Sequence, residues 1–148
     1  MSGLINTTAH RAARNAASIA FADTGPGYAS LRAYTADPNL GGTLLAVRSL
    51  GKPCGAVRPA DGRIVLAALA TNEVAVATGA ARWGEWCDAS GVAISSGRIT
   101  DVDGNITDEL GAVVPDPAGV GEFILGGGAA GTMIYAGGLV LLYTGLIG

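Results

Sequence analysis

Charge is what this chain has least of. Charged residues fill 14% of its 148 positions, against about 25% in ordinary globular chains, and none lies between Phe123 and Gly148. Nine Lys and Arg against twelve Asp and Glu leave a net charge of −3. That balance offers no basic footprint for a phosphate backbone, so nucleic acid is not expected as a partner. Histidine occurs once, as His10, with no cysteine or carboxylate at a ligand or triad spacing; a solvated or partner-facing residue is expected there rather than a general base. The two cysteines, Cys54 and Cys87, form no C-x-x-C pair, and no leader of basic n-region and apolar h-region is visible. Free, buried thiols are expected, and zinc is set aside. No serine stands in a G-x-S-x-G elbow, so a nucleophile lacks its base. The expectation is a protein that is not an enzyme and that has no catalytic, cofactor-binding or metal residues.

What the chain does have is glycine and short apolar runs. The 24 glycines among 148 residues are roughly twice the usual ~7%, without the period of collagen. The uncharged residues 123–148 are long enough to cross a bilayer as a helix. Eight glycines divide them, however, into Glu122–Leu125, Thr132–Tyr135 and Leu139–Thr144, apolar runs of strand length bounded by turns. Buried strands are the reading, and no membrane partner is expected.

Asn6-Thr-Thr8 supplies N-cap oxygens for a helix Ala9–Ala22, whose small apolar residues fall at Ala9, Ala12, Ala13, Ala16, Ile19 and Ala20, one face of a 3.6-residue period. Asp23-Thr-Gly-Pro-Gly27 ends it. The alanine stripe predicts close docking against a sheet or a partner. From Tyr28 the period becomes two, with strands over Tyr28–Thr35, Thr43–Leu50, Arg63–Leu69, Gly79–Cys87 and Val92–Thr100, the last two joined as a hairpin by Asp88-Ala-Ser-Gly91. Short strands at this spacing predict an all-β sandwich or barrel. One domain, 1–148, is expected, with the helix at about 9–22 and the β part at about 28–148.

Three motifs need an answer. Gly126-Gly-Gly-Ala-Ala-Gly131 matches G-x-G-x-x-G, but no capped helix and no downstream acid follow it, so a dinucleotide site is rejected. Asp101, Asp103 and Asn105 occupy the first ligand places of a calcium loop, yet Gly104 and Ala112 stand at the wrong places for its turn and its closing carboxylate; a carboxylate-rich turn explains them. Trp83 and Trp86, three positions apart on a strand, must face opposite ways, one into the core and one outward or at an interface.

Arg11-Ala-Ala-Arg-Asn-Ala-Ala17, Ser30-Leu-Arg-Ala-Tyr-Thr35, Gly41-Gly-Thr-Leu-Leu-Ala46, Ala77-Thr-Gly-Ala-Ala-Arg-Trp83, Cys87-Asp-Ala-Ser-Gly-Val-Ala-Ile94 and Ala136-Gly-Gly-Leu-Val-Leu142 come in an order that resembles the capsid cementing, or decoration, proteins of short-tailed bacteriophages. The resemblance implies a jelly-roll-like β-sandwich with a short N-terminal α-helix. It implies a virion protein on the outer surface of the head that binds the major capsid protein and bridges neighbouring subunits without any reaction. The sequence departs from the pattern at Asn105–Gly121, read as an extra loop, and at Asn72–Val76, which is more apolar. His10, Arg11, Arg14, Trp83, Trp86, Leu139 and Leu141 are the candidate protein-interface residues. The uncharged strand Leu139–Thr144 is a hazard at an open sheet edge, so its pairing with capsid strands or with a second copy, most simply in a homodimer, is expected. Two rival readings share the composition: a tail or baseplate/fibre component, and a small membrane protein anchored by residues 123–148.

Overall fold

The structure, a computed structural model, describes residues 5–69 and 73–148. It opens with the helix α1 (Thr8–Ala22), whose N-cap Thr7 takes the His10 N–H on its side-chain oxygen. Among the described residues eleven strands follow: β1 (Ser30–Tyr34), β2 (Leu44–Val57), β3 (Ile64–Ala68), β4 (Gly79–Ala80), β5 (Trp83–Cys87), β6 (Ala93–Thr100), β7 (Asn105–Thr107), β8 (Val113–Pro115), β9 (Phe123–Leu125), β10 (Met133–Ile134) and β11 (Leu142–Thr144). The chain is thus all-β with one short N-terminal helix, as its period of two predicts.

Seven strands form one sheet in the order β11-β9-β6-β5-β1-β2-β3, antiparallel throughout except for the parallel pair β6 and β9. A bridge between Ile64 and Ile147 brings the two edges of that sheet together, so it nearly closes on itself. This near-closure is a coarser architecture than the jelly-roll-like sandwich that the resemblance implies. Two small ribbons, β10-β4 and β7-β8, lie beside it.

Period-two alternation sorts the side chains. Leu31 pairs with Trp86 and Ala33 with Gly84, and this face meets Leu50, Ile64, Ile99, Phe123, Leu125 and Leu142 in one core, joined by Ile19 and Ala22 of α1. Gly84 has to be glycine: a Cβ there would lie 2.4 Å from Cγ of the Phe123 ring. The opposite face of the same strands carries Arg32 paired with Glu85 and Tyr34 paired with Trp83. Burial pushes the Tyr34 phenol above its ordinary value, against the pull of Arg32. The expected division of the tryptophans is therefore present: Trp86 is 3% exposed in the core, and Trp83 is half-buried on the other face.

Three places differ from the sequence reading. The strand expected to stop at Leu50 runs on to Val57, because β2 bulges between Leu50 and Gly55 and then resumes pairing with β3. Gly79–Cys87 is two strands, since Ala81 turns away to donate to Thr132 O and leaves β4 to pair with β10. The expected loop at 105–121 contains the β7-β8 hairpin. Of the segment 72–76, Asn72 lies outside the described residues; Glu73 binds Ser49 with its carboxylate, at 2.6 Å from the backbone nitrogen and 3.1 Å from the hydroxyl. Among the described residues no helix is long and apolar enough to cross a membrane, and residues 123–148 hold three short strands and turns where the anchored reading needs a span.

Candidate interaction surfaces

Helix α1 is clamped by one face only. Asn15, Ile19 and Ala22 are buried, and Asn15 Nδ2 donates to Gly62 O at 2.8 Å. Gly62 makes the approach possible: its φ is +74°, and a Cβ there would lie 2.7 Å from Thr8 O. Arg11 reaches the same turn, donating to Asp61 O at 2.8 Å. The expected stripe docks only in part: Ile19 is buried and Ala12 lies against Gly62. Ala9, Ala13, Ala16 and Ala20 point to solvent, and Phe21 is 62% exposed beside them. Between that face and the sheet end lies a groove lined by Arg14, Ala17, Ser18, Phe21, Trp86 and Ile94.

The candidate residues therefore fall into separate groups. His10 and Arg14 are exposed on α1, His10 with its Nδ1 3.0 Å from Asn6 Oδ1, whereas Arg11 is tied to its own fold. Trp86 lines the groove from the core. Trp83 belongs to the polar face, and the indole N–H of each tryptophan is buried without a hydrogen-bond acceptor. Leu139 and Leu141 belong to a second surface, with Tyr135 and Tyr143: they are 66%, 39%, 65% and 40% exposed. Gly126 lies against the Tyr143 ring and Leu141, and Gly127 against Leu141. The same glycines line a cleft with Met133, Tyr135 and Leu139.

The strand end expected as an open edge is not open. Only its last residues are strand, and β11 pairs with β9 on one side. On the other side Arg48 donates to Leu142 O at 2.9 Å, and Ile147 exchanges backbone bonds with Ile64 at 2.8 and 3.2 Å. Leu139 instead bridges to Val74, and Val140 turns into the core.

The Asp101 turn is a structural device. Its Oδ1 accepts the backbone N–H of Asp103 and Asn105 at 2.9 and 2.8 Å, and its Oδ2 accepts that of Gly131 at 2.7 Å. Burial raises the carboxyl's pKa, but those three donors outweigh it and hold it below the usual range. The G-x-G-x-x-G loop thus closes on an anion supplied by the chain itself. The same Asp-x-x-Gly turn recurs at Asp88, Asp108 and Asp116, with Gly91, Gly104, Gly111 and Gly119 all at φ between +81° and +84°, and in each turn the aspartate takes the N–H two residues on. Sequence reading marked the first two turns and missed the other two; the D-x-x-G spacing carries the signal, because the aspartate caps the turn and glycine supplies its left-handed residue.

Cys54 and Cys87 are free and buried. Burial first, then Asp23, pushes the Cys54 thiol up to about 12, and burial raises Cys87. Neither is poised as a nucleophile. Among the described residues, no three His, Cys, Asp or Glu side chains group as metal ligands. Compared with protein families, curated proteins and solved structures, the chain matches none of them.

Proposed function

We propose that this protein is a virion structural protein that decorates a bacteriophage head, binding the outside of the major capsid protein shell and bridging neighbouring subunits. The observation that carries the reading is the outward face of α1. An isolated alanine-rich helix gains little by lying on a domain with its apolar stripe in water, so a partner is the natural cover for Ala9, Ala13, Ala16, Ala20 and Phe21. The resemblance of its sequence blocks, in their order, to those of cementing proteins supports the same reading, and an all-β fold with one short N-terminal helix is compatible with it. The mechanism is mechanical: apolar surface buried across a seam between capsid subunits must be exposed again before the seam can open.

Co-sedimentation with phage heads stripped of this protein tests the reading. Deleting α1 would also remove Ile19 and Ala22 from the core, so the sharper variant is Ala16→Glu with Phe21→Glu, both on the outward face. Wild type is expected to pellet with heads and the variant to stay in the supernatant; a variant that pellets equally well removes the helix from the account. A tail or baseplate/fibre component is the second reading, favoured by the same glycine-rich, short-stranded composition.

A further inference from the structure

We propose that the uncharged surface around Tyr135 and Leu139 is the seat of a second copy of this chain, docked face to face across a two-fold axis. The inference stands apart from the capsid reading, because it concerns the free protein.

Val74, Met133, Tyr135, Leu139, Leu141 and Tyr143 are all exposed, from 36% for Met133 to 66% for Leu139. They are contiguous: Val74 bridges to Leu139, the cleft joins Leu139 to Tyr135, Met133 and Gly126, and Gly126 touches Tyr143 and Leu141. With roughly 150–250 Å² for a whole aromatic side chain, the six leave on the order of 600 Å² of apolar surface in water. That is at the upper limit of about 300–600 Å² for the largest patch on a typical monomer. The exposed loop residues Gly127, Gly128, Ala129 and Gly137 widen it toward the ~800 Å² per partner that a stable dimer buries.

Charge decides the occupant. Neither residues 74–81 nor residues 123–148 contain a charged side chain. Asp103 borders the patch at the Gly126–Ala129 loop, but the six patch residues are themselves uncharged, so a charged partner finds no ion pair within the patch, while the patch meets its own copy under a two-fold with no like charges opposed. Edge-to-edge strand addition is not the route, since Leu142 O of β11 already holds Arg48. The contact is side chain on side chain.

Sedimentation equilibrium of the purified chain in the micromolar range tests this. Wild type is expected at twice the 14.6 kDa chain mass, and Tyr135→Glu with Leu139→Glu at one chain mass with an unchanged circular dichroism spectrum. Ala16→Glu on α1 is expected to leave the dimer intact. Should the double variant misfold, Leu139→Cys serves instead: it is expected to give a covalent dimer on oxidation, and Leu110→Cys, at a side chain 94% exposed outside the patch, is not. A wild type that sediments as one chain overturns the proposal. So does a folded double variant that keeps the double mass, an open-ended assembly, or a Leu139→Cys variant that does not cross-link.

Discussion

The part of the chain from Ser30 to Thr100 and the part from Asp101 to Gly148 solve the same folding problem in different ways. The first relies on length: β2 has 14 residues, β6 has 8, and β1 and β5 have 5 each, so backbone pairing and alternate burial carry most of its order. The second has no strand longer than three residues. Side chains satisfy much of its backbone beside these short ladders: Asp101 gathers three N–H groups, Thr100 Oγ1 takes that of Gly121, and Thr107 and Thr132 each take the other's N–H at 3.1 and 2.9 Å. Buried donors have to be paired by something. Where short polar side chains do this, few apolar residues are needed inside, and Tyr135, Leu139, Leu141 and Tyr143 remain free for outside contact.

The largest effect expected from breaking this contrast is in Asp101→Ala, which orphans the buried Gly131 N–H at a cost of about 1–3 kcal/mol and leaves the part-buried N–H groups of Asp103 and Asn105 without their acceptor. Urea unfolding is expected to show a loss of several kcal/mol, with hydrogen exchange rising at Asp103, Asn105 and Gly131 before it rises in β1 or β5. Gly84→Ala attacks the long-stranded part, where the new methyl meets the Phe123 ring; overpacking of this kind costs about 1–3 kcal/mol, read from the same urea curves. Asp88→Ala sharpens the comparison, because it removes the same turn aspartate from an exposed site. Its cost is expected to be about 1 kcal/mol or less, and a loss equal to that of Asp101→Ala would mean that burial is not what separates the two turns.

Acid should tell the same story. Asp101, Asp116 and Asp61 all have folded values below the ordinary carboxylate range, Asp61 at about 2 through its bond from Arg58. A depressed carboxyl stabilises the fold above its unfolded value of about 4, and that contribution is lost as pH falls through the folded value. Stability is expected to decline between about pH 4 and pH 2, and Asp101→Asn to flatten that decline in urea curves taken across the range. The smallest effect is on the thiols: with Cys54 and Cys87 buried and their pKa values raised, alkylation at pH 8 should be slow until the chain unfolds. Rapid labelling of the native protein would place a thiol at the surface.

Much of this was legible locally. The helix begins one residue before its expected start, and Thr7 caps it; β1, β3, β6 and the Asp88 turn stand where period and turn chemistry put them. The short C-terminal strands are visible because glycine punctuates them. What escaped were choices made by distant partners. Of the six residues expected to form the docking face of α1, Ile19 and Ala12 do so, but the docked side is centred on Asn15, whose amide finds Gly62 O, and a buried polar residue is invisible to a hydrophobic period. The continuation of β2 past Lys52-Pro53 escaped for a related reason: proline reads as a stop, yet a bulge tolerates it. The parallel pairing of β6 with β9 joins residues far apart in sequence, which no local pattern encodes. Arg48 and Glu73 gave no motif at all; Arg48 is recognised only by the carbonyl of Leu142 that it reaches, and Glu73 only by the backbone N–H and hydroxyl of Ser49.

Immunogold labelling of intact particles, with an antibody raised against this chain, puts the virion account to the most direct test. The proposed role predicts gold over the faces of a phage head. Gold confined to the tail or baseplate would transfer the protein to the second reading, and particles without gold would contradict a virion role.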